Sequence, residues 1–188
     1  MVLEFAQLEP AERYKVMVES IVPRPVAWIV TKSGEGVINV APFSYFSGIS
    51  SRPPLLMVAI GRRKKGLEEP KDTYRNLLET GRGTIVIPDH SQWELVEKSG
   101  EVLPASVSEA EKFGIELEEV VEGFPPIVKN SPRAFFVTLY GRFEREEMAT
   151  IPFFLKIEKF YTNGLPFAPL ARLGKGFAPV PVPSEEKE

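Results

Sequence analysis

The amino-acid sequence predicts a mainly β fold, a small antiparallel barrel with helical insertions. Short apolar runs of strand length recur along the chain, and compact segments rich in Gly, Ser and Pro separate them. One stretch with a helical pattern, at about residues 89–123, interrupts the series. With 188 residues, 43 % apolar content and 13 Phe, the chain suits one domain with a sizeable core. We therefore expect a single domain over residues 1–183 and a flexible tail over residues 184–188.

The first part of the chain predicts a helix and then a β-hairpin. Residues 9–20 carry apolar side chains at roughly helical spacing, and Pro10 suits the first turn of a helix. Residues 26–32 predict a strand. A turn with two glycines follows, so residues 37–40 are expected to return antiparallel to that strand. The next segment, residues 41–51, mixes small, polar and aromatic residues, and this mixture suits a strand lying along a ligand.

The middle of the chain predicts a strand, a helix and a second strand. Residues 55–60 form a continuous apolar run, which is typical of a strand buried on both faces. Asp72 is expected to cap a helix over residues 73–79, and Gly81 matches a glycine at the helix C-terminus. Residues 84–87 predict another short, buried strand.

The second half of the chain predicts helices and then a return to β structure. Ser106 and Glu109 have the spacing of a capping box, which places a helix start inside the insertion. Residues 134–143 resume β character, and residues 151–161 alternate apolar and polar side chains. This alternation predicts a long strand near the end of the sheet. Beyond residue 164 the chain is rich in Pro, Gly and Ala without periodicity, so no further element is predicted.

The composition argues against several classes of function. A chain with no Cys has no disulfide, no thiolate nucleophile and no zinc–thiolate or iron–sulfur site. Its one histidine is His90 and its aspartates are Asp72 and Asp89, which leaves little for a catalytic triad or a histidine metal site. We therefore predict no metal and assign no catalytic side chain. Such a composition favours chemistry carried by a bound cofactor.

The charge and the hydropathy of the chain point to a cytoplasmic protein. The net charge of −3 opposes binding to nucleic acid or to an anionic membrane. No apolar run approaches the roughly 20 residues that a transmembrane helix needs. The N-terminal residues carry acids and lack the apolar core of a signal peptide.

A basic loop is the first candidate binding site. Residues 62–65 are four consecutive cations, and Lys71, Asp72 and Thr73 then open the predicted helix. Loop cations, a hydroxyl group and a helix N-terminus can together hold a phosphate, although a basic cluster taken alone favours a solvated turn. Leu67 and Glu68 stand where a P-loop needs Lys and a hydroxyl residue, so a nucleoside triphosphatase is disfavoured. No glycine-rich dinucleotide fingerprint follows a strand, so a Rossmann fold is disfavoured too.

Several short motifs follow one another along the chain: residues 23–25, the turn 33–36, residues 39–44, 50–54, 60–62 and 71–73 with Asn76, and residues 172–174. In their order and spacing they resemble the flavin reductase-like, FMN-binding split-barrel family, which includes flavoredoxins and flavin:NAD(P)H reductases. The resemblance implies a Greek-key split β-barrel, a non-covalently bound FMN, and NAD(P)H or a redox protein as the reductant. It also implies a homodimer with FMN at the subunit interface, and a redox partner protein or an oxygenase as an acceptor.

The resemblance also implies which residues of this chain contact FMN. Arg62, Lys71 and Thr73 are expected at the phosphate. The backbone N–H groups of residues 41–44 and the hydroxyl of Ser44 are expected at the edge of the isoalloxazine ring, where such donors also stabilise negative charge on the reduced ring. The implied cofactor-binding residues are Asn39, Ala41, Pro42, Phe43, Ser44, Ser50, Ser51, Ile60, Gly61, Arg62, Lys71, Asp72, Thr73 and Arg172.

One departure from the family pattern keeps the activity open. Many flavin reductases of the family carry a Gly-Asp-His motif on the late strand, whereas this chain has Gly141, Arg142 and Phe143 there. Three interpretations therefore remain: a flavin reductase, a non-catalytic FMN-binding electron carrier, and a barrel that serves as a binding module and has lost the flavin.

Overall fold

The computed structural model of the protein describes residues 2–181, which form twelve β-strands and four α-helices. Single 3-10 turns at Phe5–Gln7 and His90–Gln92 complete the regular structure of these residues. The helices are α1 (Pro10–Ser20), α2 (Asp72–Thr80), α3 (Trp93–Lys98) and α4 (Glu109–Phe113). The strands are β1 (Arg24–Pro25), β2 (Ala27–Lys32), β3 (Ile38–Phe43), β4 (Phe46–Ser51), β5 (Pro54–Gly61), β6 (Arg82–Ile87), β7 (Leu117–Glu118), β8 (Ile127–Val128), β9 (Arg133–Arg142), β10 (Thr150–Thr162), β11 (Leu170–Leu173) and β12 (Gly176–Pro179).

Seven of the strands form one antiparallel sheet in the order β3-β2-β6-β9-β10-β5-β4. Strands β3 and β5 also approach each other, so the sheet curls around a common interior and leaves its two edges, β3 and β4, unpaired with each other. A smaller sheet, in the order β1-β11-β12, and the two-stranded ribbon β7-β8 complete the β structure. The predicted fold class, a mainly β split barrel with helical insertions, is confirmed.

The interior of the barrel is filled by alternate side chains of its strands. Strand β5 shows the pattern most clearly, since Leu56, Val58 and Ile60 are buried while the residues between them are partly exposed. Helix α2 closes one end of the barrel with Leu77, which joins the same apolar cluster. Each of these large side chains stabilises the fold by about 1.5–3 kcal/mol through burial.

A second apolar cluster lies on the outer face of strands β2, β3, β6 and β9, under the segment that connects β6 to β9. Because this segment covers their outer face, β2 and β6 are buried on both sides. Trp28 of β2 is fully buried there, and its indole N–H donates to the hydroxyl of Ser99, at 2.9 Å between Nε1 and Oγ. The connecting segment is therefore part of the core, and it also walls the cavities described below.

Several elements agree with the sequence-based predictions. Helix α1, strands β2, β6 and β9, and helix α2 with Gly81 at its C-terminus all lie within two residues of their expected bounds. The hairpin β2-β3 also forms as predicted, although β3 ends three residues beyond its expected end at residue 40. Gly81 has a φ of 69°, a conformation that glycine adopts with little strain.

Other predictions about the middle of the chain are wrong in detail. Residues 55–60 are buried on one face of β5 only, since the covering segment lies over β2 and β6 instead. Helix α2 starts at Asp72 with Lys71 at the N-cap, so Asp72 lies in the first turn and does not cap the helix. Helix α4 has Ser108, not Ser106, at its N-cap. Residues 114–123 contain strand β7 and no helix, because Gly114 ends α4 in the left-handed conformation.

Two predictions about the second half are also corrected. Strand β10 lies between β9 and β5, away from the end of the sheet, because its length lets it pair with both neighbours. The segment beyond residue 164 contains the hairpin β11-β12, which pairs with β1. The tail predicted at residues 184–188 lies outside the described residues. None of the helices over residues 2–181 has the length and apolar character that crossing a bilayer requires.

Candidate functional site

A cavity of about 250 Å³ lies at the N-terminus of helix α2, between strand β3 and the segment around residues 99–109. Helix α2 brings Lys71, Asp72 and Thr73 to its wall, because they occupy the N-cap and the first two helical positions. The first N–H groups of a helix have no partner within it, and the helix dipole makes this end electropositive. The cavity can therefore accept an anion.

The polar side chains on this wall are held by hydrogen bonds. The buried hydroxyl of Thr73 accepts from the amide of Asn39, at 2.8 Å between Oγ1 and Nδ2. The same amide also donates to Thr31, and so does the amide of Asn76. Since Thr73 accepts from Asn39, its own O–H is available to donate to a ligand oxygen.

Lys71 is a partly buried cation that faces the cavity without a counterion. Within residues 2–181 no carboxylate lies within 4 Å of its ammonium group, which stands 5.5 Å from the centre of the Phe43 ring. Its aliphatic stem packs on Gly61, where an added Cβ would come within 3.3 Å of the Lys71 Cε. Burial lowers the pKa of Lys71 below its ordinary value. An anion in the cavity would offset this desolvation cost by compensating the charge.

Lys64, in contrast, is a buried cation that the protein itself neutralises. Its ammonium group lies 2.9 Å from the Asp72 carboxylate and donates to the carbonyl of Leu103 at 2.8 Å. Asp72 also pairs with Arg75, at 3.0 Å. Asp72 lies at the N-terminus of α2, and two cations pair with its carboxylate. The carboxylate therefore repels a bound anion less strongly than an unpaired carboxylate would. Lys65 also lines the cavity and is exposed.

Glu109 of helix α4 forms part of the floor of the first cavity. Its carboxylate accepts from the backbone N–H of Val40, at 2.9 Å between N and Oε2, and the residue is only 4 % exposed. Burial raises the pKa of Glu109, and the nearby Asp72 acts in the same direction. Glu109 thus fastens the covering segment to the edge of the barrel with a carboxyl group that retains its proton more readily than usual.

The Val40 contact also fixes which backbone groups of β3 face the cavities. Its N–H points away from β2, so in an antiparallel pair the N–H groups of Ala41 and Phe43 point toward β2. Pro42 has no N–H. Of the N–H groups expected to meet a ring, those of residues 41–44, the ones of Ala41 and Phe43 are therefore directed into the sheet and that of Pro42 does not exist. The N–H and the hydroxyl of Ser44 remain as donors from this segment.

A second cavity, of about 280 Å³, adjoins the first one, and Pro42, Phe43 and Gly100 line both. The volumes of the two neighbouring cavities, taken together, fall in the range of about 300–1,000 Å³ that is typical of small-molecule sites. Aromatic, acidic and basic side chains surround it together with the Ser44 segment. They are Tyr14, Glu97, Arg172 and Phe177.

The guanidinium group of Arg172 lines this second cavity, and that of Arg24 lies behind its wall, in contact with Ser44. Arg24 is buried and donates to the hydroxyl of Ser44, at 3.3 Å between Nε and Oγ. Arg172 lies opposite Arg24 in the β1-β11 ladder and stacks over the ring of Phe177, 4.2 Å from its centre. Burial lowers the pKa of Arg172. The motif resemblance implied Arg172 as a cofactor-binding residue but not Arg24, although Arg24 lies in the motif of residues 23–25.

The structure brings together most, but not all, of the residues predicted from the sequence. Seven of them line the first cavity: Asn39, Ala41, Pro42, Phe43, Lys71, Asp72 and Thr73. Ser44 and Arg172 line the second. Ser50 and Ser51 are exposed on β4, at the opposite edge of the sheet, and Ile60 is fully buried inside the barrel.

Arg62 lines neither cavity. Its guanidinium pairs with Glu144 at 3.0 Å and donates to the carbonyl of Arg145 at 2.6 Å. Glu144 also accepts from Tyr74 and from Arg142. This network ties the start of the basic loop to the β9-β10 turn, so the predicted contact between Arg62 and a phosphate would require these bonds to be exchanged.

Sequence reasoning missed Arg24, Lys64 and Glu109. Lys64 belongs to the basic run, where no local signal distinguishes a buried cation from an exposed one. In the sequence, the spacing of Glu109 from Ser106 indicates only a capping box. Its contact with Val40 joins positions 69 residues apart, which spacing within one element cannot predict.

Larger cavities lie elsewhere but contain none of the predicted residues. One of about 690 Å³ lies beside the β2-β3 turn, where Lys32 and Arg82 face Glu119 and Glu122. Its lining combines both signs of charge, and the Arg82 guanidinium already donates to the carbonyl of Gly123. It offers no free cation on a helix N-terminus, in contrast to the cavity at α2.

Comparisons with known proteins agree with this architecture. The family model described as "Flavin reductase like domain" matches residues 19–180. An uncharacterized protein of Aquifex aeolicus is 30 % identical over 170 residues, which cover 86 % of each protein. An uncharacterized protein of Halalkalibacterium halodurans is 35 % identical over 127 residues, which cover 67 % of this chain. The match spans 60 % of that relative's length, less than two thirds of it.

Solved structures are similar over nearly the whole chain. Nitrilotriacetate monooxygenase component B from Bacillus cereus has a TM-score of 0.86 and 27 % identity, with 98 % of each chain covered. Flavoredoxin of Desulfovibrio vulgaris has a TM-score of 0.72 and 18 % identity, with 88 % of this chain and 91 % of that chain covered. The second likeness is one of fold alone.

Proposed function

The chain belongs to the flavin reductase-like family, as its motifs predicted, and we propose that it binds FMN without a covalent link and works as an oxidoreductase. In this proposal the electrons come from NAD(P)H or from a redox protein. They pass to free flavin, to a partner oxygenase or to an electron carrier in the cytoplasm. The family assignment supports flavin-linked redox chemistry in general. The choice of FMN and of the donor goes beyond it.

One observation carries the choice of FMN: a cation without a counterion at a helix N-terminus, next to a cavity with aromatic walls. Lys71, the first N–H groups of α2 and the Thr73 hydroxyl form a donor set suited to a phosphate. The adjoining cavity offers Tyr14, Phe177 and the Ser44 hydroxyl to a polar aromatic ring. A phosphorylated ring compound fits both halves, whereas a ligand without a phosphate leaves Lys71 uncompensated.

The residues of the chain hold and orient the ligand. Lys71 anchors the phosphate, Phe43 and Pro42 form the wall shared by both halves, and the Ser44 hydroxyl donates to the ring. The covering segment, fastened by Glu109, limits the access of water to the first cavity. Bound FMN supplies the capacity to accept a hydride.

A homodimer is part of the proposal. Ser50 and Ser51 are exposed on β4, the edge strand opposite β3 in the sheet, and they line neither cavity of the same chain. Ile49 is also exposed there, at 48 %. A second copy that packs on β4 would cover this edge and bring its own residues toward the ligand. Sedimentation equilibrium checks this part, since a monomer at micromolar concentration would contradict it.

The test of the proposed function is flavin binding followed by reduction. The protein is stripped of ligand and titrated with FMN, and the holoprotein is then mixed with NADH or NADPH under anaerobic stopped flow. We expect saturable FMN binding and bleaching of the flavin absorbance with at least one nucleotide. Binding without bleaching by either nucleotide would favour the electron carrier. A protein that fails to bind FMN would favour the binding module and refute the proposal.

A further inference from the structure

Arg24 is a buried cation without a counterion. It is 4 % exposed, and within residues 2–181 no carboxylate lies within 4 Å of its guanidinium. Its N–H groups donate instead to the carbonyls of Val18, Ile21 and Gly174 and to the hydroxyl of Ser44. These neutral acceptors satisfy the hydrogen bonds of the guanidinium and leave its charge uncompensated.

Arg172 adds a second cation, which is partly buried and has no ion pair within residues 2–181. It is opposite Arg24 in an antiparallel ladder, so both side chains lie on the same face of the β1-β11 pair. Glu97 is the acid on the wall of this cavity, and it lies beyond ion-pair distance of Arg172 in the described part of the chain. Burial has the largest effect on the pKa of Arg172 and lowers it; the charge of Glu97 raises it, and the charge of Arg24, a weaker influence, lowers it.

Two like charges beside one cavity are unfavourable in the empty protein. Burial of an uncompensated charge opposes folding, and like charges on facing residues add to the effect. Such an arrangement is stabilised when a negative ligand occupies the cavity. The phosphate half of the site has its own cation in Lys71, so the pair at Arg24 and Arg172 serves the other half of the ligand.

We propose that Arg24 and Arg172 make the second cavity bind the reduced, negatively charged flavin ring more tightly than the oxidised ring. This inference rests on the proposed function. Two-electron reduction adds two electrons and one proton to the ring, which then carries one more negative charge than before. The electrons and the proton come from the hydride of a nicotinamide dinucleotide, or from dithionite and water in the test below. A positive field at the ring therefore raises its reduction potential.

The two arginines act in different ways. Arg172 lines the cavity and faces the ring directly. Arg24 is a positioning residue that acts through Ser44. Because the Ser44 oxygen accepts from the Arg24 Nε–H, the hydroxyl hydrogen of Ser44 is free to donate into the cavity. A Ser44 hydroxyl that donates in this direction stabilises the reduced ring more than the oxidised ring, because the reduced ring carries more negative charge.

The experiment measures the midpoint potential of the bound flavin by dithionite titration against a reference dye, together with the Kd of oxidised FMN. For Arg172→Gln we expect the affinity for oxidised FMN to change by less than about threefold. We expect the affinity for reduced FMN to fall by a factor about ten times larger than the factor for oxidised FMN. This difference lowers the midpoint potential of the bound flavin by about 30 mV for a two-electron couple. Ser44→Ala is expected to act in the same direction by about threefold.

Arg24 is tested through a double-mutant cycle. Arg24→Lys keeps the charge and loses the planar fork that holds Ser44. We expect it to resemble Ser44→Ala, and the double variant to be no worse than Ser44→Ala alone. If Arg24→Lys does not fold, the Arg172→Gln and Ser44→Ala potentials still decide the proposal.

Lys175→Gln is the matched control, because Lys175 is an exposed cation in the same hairpin and does not line the cavity. Its potential should equal that of the wild type. An unchanged potential in Arg172→Gln, or equal losses of affinity for both redox states, would overturn the inference while leaving FMN binding intact. A wild-type protein that binds no FMN would instead refute the proposed function, and the inference with it.

Discussion

Lys71 provides a direct test of the phosphate site. The change Lys71→Gln removes the charge and keeps a polar side chain of similar length. In the protein described here the ammonium group faces the first cavity without a carboxylate partner. We therefore expect the variant to bind FMN more weakly and to bind riboflavin, which lacks the phosphate, as well as the wild type does.

The size of the effect follows from electrostatics. A unit charge 4 Å from Lys71 is worth about 4 kcal/mol at an effective dielectric constant of about 20. Lys71 is only partly buried, and water replaces part of the lost contact in the variant. We therefore use the range of about 1.5–3 kcal/mol for hydrogen bonds to charged groups. This corresponds to an increase of about 10- to 150-fold in the Kd for FMN.

The assay is quenching of flavin fluorescence by the apoprotein, with FMN and riboflavin titrated in parallel. Lys159→Gln, a change of an exposed lysine on β10, is the matched control. Equal weakening for FMN and riboflavin in Lys71→Gln would refute the reasoning, since it would mean that the lysine contacts the ring or only supports the fold.

The pKa of Lys71 adds a second readout of the same site. Its pKa is lowered by burial, so the folded protein holds this proton less tightly than the unfolded chain. Stability therefore rises with pH between the lowered and the ordinary pKa, and the full penalty is present below the lowered pKa. Below that pKa the Lys71→Gln apoprotein should be more stable than the wild type. The affinity of the wild type for FMN should fall as the pH rises through the lowered pKa, and that of the variant should not.

Two further predictions concern Glu109 and Arg62. Burial raises the pKa of Glu109, so its contribution to stability is full below the ordinary carboxyl pKa and is lost as the pH rises through the raised one. Glu109→Gln keeps an acceptor for the Val40 N–H. Urea unfolding should show this variant to be more stable than the wild type at pH 8 and equally stable at pH 4. A variant that is less stable than the wild type at pH 8 would contradict this. Arg62→Met should lower the Tm and leave the Kd for FMN unchanged, because Arg62 is engaged with Glu144 and the Arg145 carbonyl. A weaker affinity for FMN but not for riboflavin would return Arg62 to the phosphate site.

Local patterns predicted the elements whose signal lies within a short stretch of chain. The hairpin β2-β3 and the end of α2 at Gly81 are of this kind, since turn residues and helix ends act on their neighbours. Burial of whole strands was harder to predict. Residues 55–60 read as buried on both faces, yet the segment that covers the sheet lies over β2 and β6, and this depends on contacts far apart in sequence.

The hairpin β11-β12 shows a second limit. Its residues have few β-branched side chains and no alternation, so nothing local predicts a strand. The hairpin forms because β11 pairs with β1 about 150 positions earlier in the chain, where Arg24 donates to the Gly174 carbonyl. The motif resemblance did single out residues 172–174, and the pairing gives the physical reason that these residues lie beside Ser44.

Whether a cation supports the fold or is available to a ligand depends on its counterion more than on its position in the sequence. The basic loop contains Arg62 and Lys64, and each already has a carboxylate partner within 3.0 Å, Glu144 for the first and Asp72 for the second. Lys71 and Arg172 have no such partner among residues 2–181, and both line a cavity. Because a partly buried charge without a partner opposes folding, a stable protein gains from such a charge only when something else compensates it. The same argument explains why a run of four cations in the sequence was a poor guide on its own. The run identified the basic loop, whereas the partly buried cations without a carboxylate partner, Lys71 and Arg172, lie after the loop and near the end of the described chain.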